Sequence, residues 1–165
     1  MDNKKMSKLF IENAFIFRKN FRGEKRDFNP NGRRTFYVKL DPDLADVLHD
    51  DGWNIKQIPA REEDEPPLNY LAVEVKYNKE YPNLDPKIYI VTPKKKTLLT
   101  EDNVHILDTA RFTHVELRIN PYVWEVNGKS GIKAFVDKMY VEIENDPMDE
   151  KYEGIPNGEF TEFYN

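Results

Sequence analysis

The sequence predicts an all-β, or mainly β, domain with one or two short helices, followed by a flexible acidic C-terminal tail. Three observations carry that expectation. Short runs rich in aromatic and β-branched residues recur along the chain, separated by Pro, Gly and Asn turn chemistry. Asn127-Gly128, the strongest short hairpin signal, lies between two such runs. After Glu144 periodicity is lost and acids accumulate. With 165 residues the chain is long enough for one domain with a working core, assigned to 1–145, with the tail at 146–165.

Taken in order, Lys8 to Phe17 and Arg33 to Leu40 read as strands, with Asn29-Pro30-Asn31-Gly32 as turn chemistry between them. Asp41 to His49 reads as an amphipathic helix with Asp41 as N-cap, Pro42 at the first position and Gly52 shortly past the end. Trp53 to Ile58 follows as a strand, and Arg61 to Pro67 is an acidic loop ending in prolines. Asn69 to Tyr77 and Lys87 to Val91 are further strands. Thr100 precedes Glu101 and Asp102 as an N-cap would, so a short helix is expected to open there. Two last strands flank Asn127 to Gly131. About seven strands with small helices fit a small Greek-key barrel of the OB type, with a sandwich as the competing arrangement.

Charge is unevenly placed. Residues 1–40 hold 11 Lys or Arg against 4 acids, a net of +7, and residues 146–165 hold 6 acids against one Lys, a net of −5. The tail therefore accounts for the whole net charge of −5, and the body is neutral with a basic N-terminal region. No cysteine is present, which excludes disulfides and thiolate metal sites and fits a reducing compartment. No apolar run reaches the length of a membrane span, and no secretory signal is expected.

Catalytic signatures are sparse. His49, His105 and His114 lie in different segments without metal-ligand spacing. Phosphate-loop, dinucleotide and nucleophile-elbow motifs do not occur. One pattern, Pro42-Asp43 with Glu74-Val75-Lys76, resembles the carboxylate and lysine set of metal-dependent PD-(D/E)xK nucleases. Asp43 falls in a helical first turn rather than at a strand end, so the context the motif needs is missing. The expectation is a protein that is not an enzyme and needs no cofactor or metal.

Binding is the better-supported class. Alternation along strands puts Phe36, Val38 and Leu40 on one face and Arg33, Thr35, Tyr37 and Lys39 on the other. Later strands turn Leu71, Val73 and Val75, then Ile88 and Ile90, then Leu117, Ile119 and Val123 inward, and carry Tyr70, Glu74 and Lys76, then Lys87 and Tyr89, then Arg118, Asn120, Tyr122 and Trp124 outward. Lys129 and the run Lys94-Lys95-Lys96 add cations. A ring beside a cation is ordinary β composition at any one site. Its repetition on four faces points to single-stranded nucleic acid, whose bases stack on rings while phosphates meet Lys and Arg. The stretch 18–32 places Arg18, Lys19, Phe21, Arg22, Lys25, Arg26 and Phe28 in a strand end and long loop, followed by Arg33 and Arg34. In OB folds this first loop borders the oligonucleotide groove, with the basic residues on phosphates and Phe21 and Phe28 as stacking platforms.

The tail, "DPMDEKYEGIPNGEFTEFYN", alternates acids with aromatics. A basic β body with such a tail resembles the single-stranded DNA-binding proteins of bacteria and bacteriophages. The segment "INPYVWEVNGKSGIKAFVDKMYVEIE" is similar, more narrowly, to the C-terminal part of the phage-encoded ones. The resemblance implies a protein that coats and protects single strands in replication or recombination, in the host bacterial cytoplasm; the oligomeric state, monomer or homodimer, stays open. It implies a tail that docks replication or recombination partners through Phe160, Phe163 and Tyr164 and lies in the groove when DNA is absent. Two other readings remain open from the residues: the PD-(D/E)xK nuclease, and a phage protein-interaction or inhibitor module whose acids mimic DNA.

Overall fold

A computed structural model describes residues 6–144. Its strands are β1 (Leu9–Ile11), β2 (Phe15–Asn20), β3 (Arg34–Leu40), β4 (Ile55–Ile58), β5 (Leu68–Val75), β6 (Lys87–Val91), β7 (Lys96–Leu99), β8 (Phe112–Val126) and β9 (Lys129–Ile143), with one α-helix, α1 (Pro42–Asp50). The expected mainly β class is what the structure shows. The expected acidic tail at 146–165, with Phe160, Phe163 and Tyr164, lies outside the described residues.

Hydrogen bonding orders the main sheet β1-β8-β9-β5-β3-β2, with β4 on β5, β6 on β9 and β7 on β6. β5 and β9 run parallel, and the other neighbours on this path are antiparallel. The sheet is not closed into a barrel by strand pairing. Its two ends, β1 and β2, are consecutive in the chain, and Ala14 between them donates its N–H to the Val115 carbonyl at 2.8 Å. Counting β1 and β2 as one bent strand, the order fits a small OB-like fold. The single strand expected over Lys8 to Phe17 is broken because Asn13 takes a left-handed φ of 51°, where the chain leaves β8 for β3.

One core lies under this curved sheet. Phe36, Val38 and Leu40 of β3, Leu71, Val73 and Val75 of β5, Val115, Leu117 and Ile119 of β8, and Val136, Met139 and Val141 of β9 are all buried there. In β3, β5 and β8 these are the alternate positions that period-two reading assigns inward, and in β9 the alternation breaks between Val136 and Met139. α1 adds Ala45 and Leu48. It begins as expected, with the Leu44 N–H donating to Asp41 Oδ1 at 2.8 Å and Pro42 in the first turn.

Two local expectations are corrected. The short helix expected at Thr100–Asn103 is a turn in which the Thr100 N–H donates to Asn103 Oδ1, and the 3-10 helix follows at Val104–Asp108, where Val104 and Leu107 enter the core. The hairpin turn is only Asn127-Gly128, with φ of 52° and 80°, the left-handed pair a two-residue type I′ turn requires, so Lys129 to Gly131 belong to β9. Lys96 opens strand β7, so part of the lysine run is in the sheet.

An ion cluster ties β1, β8 and β9 together. Asp137 accepts from Lys8 at 3.1 Å and from Arg118. Burial pushes the Asp137 carboxyl up, but these hydrogen bonds and charges together hold it below its usual range. A carboxylate whose folded pKa is depressed stabilises the fold above its unfolded value, near 3.9, and that contribution is lost as pH falls through the folded value. Asp137→Asn is therefore expected to reduce stability at neutral pH and to narrow the gap between thermal midpoints at neutral pH and about pH 3. Melts at both pH values check this; an unchanged gap would remove Asp137 from the acid response.

Candidate nucleic-acid interface

β8 and β9 run past the body as a two-stranded arm in which Tyr122, Val123, Trp124 and Val126 are exposed. The side chain of Val123, expected inward, is among them because the arm has left the core at that point. Between this arm, the outer faces of β3 and β5, and the α1–β4 connection with His49, Gly52, Asn54 and Ile55 lies a groove of about 730 Å³. Arg33 and Thr35 border it on one side, Ala72 and Glu74 form its bed, and Trp124, Gly131 and Lys133 border it on the arm. Trp53 closes the base: it is buried and pairs with Ile132 through an isolated bridge.

Trp124 is held rather than loose. The indole lies flat against Gly131 of the opposite strand, where a Cβ would come within 2.8 Å of Trp124 Cζ2. Yet 38% of Trp124 stays exposed, and the residue lines the groove. Next to it, Tyr122 packs edge-on against Phe135 at 6.2 Å, and the Lys133 ammonium lies 5.2 Å from the Phe135 ring centre. Lys133 also pairs with Glu74 at 2.9 Å, which neutralises the one carboxylate in the bed of the groove.

Further along the same outer face, Tyr37 and Tyr70 stack at 4.3 Å, and Phe17 meets both edge-on at 5.5 and 6.0 Å. Tyr70 is buried and Tyr37 only half-buried, so Tyr70 is the inner support of the pair and Tyr37 the more accessible ring; burial, then the neighbouring Tyr37, raises the Tyr70 pKa. A register shift in β2 with Arg18 at φ 49° places the Arg18 guanidinium 5.7 Å from the Tyr37 ring centre. Such bulges re-aim side chains. Lys39 lies 5.8 Å from the exposed Phe15 ring.

Several residues expected to contact DNA are placed elsewhere. Phe21 is fully buried and stacks on Phe36 at 5.2 Å, so it is core and not a stacking platform. Its N–H and that of Arg22 both donate to the Asp108 carboxylate, at 2.6 and 2.9 Å, which draws the start of the loop inward. Arg34 donates to the Phe21 carbonyl at 2.6 Å, and Lys19 donates to the carbonyls of Leu107 and Ala110 at 2.8 and 2.7 Å. Burial lowers the Lys19 pKa. Both cations therefore hold the loop to the body. Arg118 is engaged by Asp137, and Lys87 and Tyr89 lie on the outer face of β6, away from the residues that line the groove.

The loop that joins β2 to β3 keeps its basic surface. Arg22, Lys25, Arg26 and Arg33 are exposed, and Phe28 is 81% exposed with the Arg26 guanidinium 6.0 Å away. Lys76 is exposed just past β5, and Lys129 is exposed on the arm. Lys133 and Phe135 were not singled out from the sequence; period-two reading of β9 finds them once Gly131 is placed in the strand rather than the turn.

The model of the phage ssDNA-binding domain family matches residues 1–162. The chain belongs to this family. Two solved structures agree with the fold. The single-stranded DNA-binding protein from bacteriophage Enc34 is similar with a TM-score of 0.52 at 9% identity, over 96% of this chain and 90% of that one. The same phage protein in complex with ssDNA gives a TM-score of 0.53 at 10% identity, over 85% and 88%. At such identity the likeness speaks to fold alone. No curated protein sequence matches the chain.

As a member of a DNA-binding family, the chain is a binding protein and not an enzyme. The nuclease set is not assembled: Asp43 follows the Leu40 end of β3, which pairs with Asn69, whereas Glu74 pairs with Thr35 at the other end of that strand. Among the described residues no group of three His, Asp or Glu side chains is placed to hold a metal ion. Among the same residues no helix is long and apolar enough to cross a membrane.

Gly131→Ala is expected to push the indole of Trp124 off its seat, because the added methyl meets the ring at 2.8 Å. The readout is a change in tryptophan emission together with weaker oligo-dT binding. Unchanged emission and affinity would mean that the indole position does not depend on Gly131.

Proposed function

We propose that this phage-type domain binds single-stranded DNA in the groove between the β8–β9 arm and the outer face of β3 and β5. The carrying observation is that Trp124 and Arg33 border one groove, with Lys133 beside them, in a chain of this family. In an OB-like fold the outer face of the second and third strands, here β3 and β5, binds oligonucleotides between the first-strand loop and the last hairpin. Trp124, Tyr122 and Tyr37 serve as base platforms, and Phe28 can fold over a strand from the loop. Arg18, Arg22, Lys25, Arg26, Arg33, Lys39, Lys76 and Lys129 meet phosphates around it.

Coating and protecting exposed strands during phage replication or recombination is the biological task this supports. The chain then divides into a binding domain at 1–145 and an acidic tail at 146–165. Phe160, Phe163 and Tyr164 are the docking residues for replication or recombination proteins. Tethered to a basic face, a segment of net charge −5 has a high effective concentration there and competes with DNA phosphates.

Fluorescence anisotropy with labelled oligo-dT, at two salt concentrations, on the full chain and on residues 1–145 tests both parts. Salt-sensitive binding that tightens without the tail supports groove and competition together. No binding by either form would discard the DNA reading and favour a DNA-mimicking interaction module.

The cations separate in the same assay. Arg33→Ala is expected to lower the salt slope by about 0.7, the value for one phosphate on a single strand. Arg34→Ala is expected to leave the slope unchanged and to lower the thermal midpoint, because it removes the donor to the Phe21 carbonyl. The reverse pattern would exchange their roles.

A further inference from the structure

We infer that a second single-strand contact lies on the outer face of β6 and β9 and takes up DNA that leaves the groove. This inference rests on the groove reading and lengthens its site. Its starting point is a register shift in β9. Ile119 pairs with Val136 and Arg118 with Lys138, so Asp137 is an extra residue in the strand. Buried positions change parity there, from Ile132, Ala134 and Val136 to Met139 and Val141. The outward row changes with them and runs Lys133, Phe135, Lys138, Tyr140. The shift keeps rings and cations on one face, from the groove onto the neighbouring strand β6.

At the far end of that row, Tyr140 stacks on Tyr89 at 5.2 Å with the rings 14° apart. The parallel register sets Tyr89 opposite Tyr140 and Lys87 opposite Lys138. The Lys96 ammonium stands 4.7 Å from the Tyr89 ring centre and 5.6 Å from that of Tyr140, and Lys138 stands 6.0 Å from the latter. A ring pair under two ammonium groups, with Lys87 beside it, repeats the chemistry of the groove. Of the acids nearby, Asp137 is occupied by Lys8 and Arg118, and Glu116 by His114 at 3.6 Å when that histidine is protonated, while exposed Glu142 marks the end of the row two residues past Tyr140. From Phe135 to Tyr140 the strand advances about 17 Å, a distance an extended single strand spans in a few nucleotides. The ligand class is the sugar-phosphate backbone and bases of single-stranded DNA already seated in the groove.

The test uses the full chain, labelled oligo-dT of about 6 and about 16 nucleotides, and the double variant Lys96→Ala with Lys138→Ala. The longer strand is expected to bind several-fold more weakly, with its salt slope reduced by about 1.4 for two lost phosphate contacts. The shorter strand is expected to bind as it does to the parent protein. Tyr140→Leu, which keeps apolar bulk and removes the ring, is expected to reproduce the length-selective loss. Equal loss at both lengths, or none at the longer one, would overturn the second contact while leaving the groove intact. Failure of the parent protein to bind either length would overturn the groove reading itself.

Discussion

Phe21→Ala is expected to lower unfolding free energy by about 3–5 kcal/mol, the usual cost of truncating a buried Phe. Phe21 opens a loop that reads as exposed and basic, yet its ring is fully buried against Phe36. Three hydrogen bonds fix the backbone around it: the Phe21 and Arg22 N–H groups on Asp108, and Arg34 on the Phe21 carbonyl. Removing the ring leaves a cavity that this anchored backbone cannot close, which places the loss toward the upper part of the range. Denaturant unfolding measures it. DNA affinity of the folded fraction should stay close to that of the parent, and a large loss of affinity without loss of stability would return Phe21 to the binding face.

Trp124→Ala has the opposite signature. It should cost binding about 1–3 kcal/mol, the contribution of one stacked base, and leave the thermal midpoint little changed. The ring sits on an arm outside the core, supported by Gly131 and partly open to solvent. Its truncation removes a platform without opening a cavity among buried side chains. Titration of oligo-dT gives the affinity and a melt gives the stability. A fall in midpoint without a fall in affinity would assign Trp124 a packing role.

Much of this fold was legible from alternation. The inward triplets of β3 and β5, the N-cap at Asp41 and the turn at Asn127-Gly128 follow from local rules that tertiary packing did not override. Other features depend on long-range partners that a local pattern does not contain. Phe21 and Phe28 stand in the same kind of basic, turn-rich stretch, and distant partners, Phe36 against the Phe21 ring and Asp108 on its backbone, separate the core ring from the exposed one. Lys19 and Arg34 read as phosphate ligands until the carbonyls of Leu107, Ala110 and Phe21 appear beside them. In β9 the extra residue at Asp137 moves every later side chain to the other parity, and its partners in β8 show where the shift falls. The OB-like expectation holds, and the two ends of the sheet, β1 and β2, are joined through the bend at Asn13 rather than by strand pairing, which local patterning does not reveal.

The central claim is the location of the strand, and photo-crosslinking tests it most directly. A thymine strand substituted with 4-thiothymidine is irradiated on the full chain, and the joined peptides are mapped by mass spectrometry. The predicted result is crosslinks at Trp124, Tyr122 and Tyr37, reduced by high salt. Crosslinks confined to the acidic loop at 61–67, with none on the arm or on β3, would contradict it.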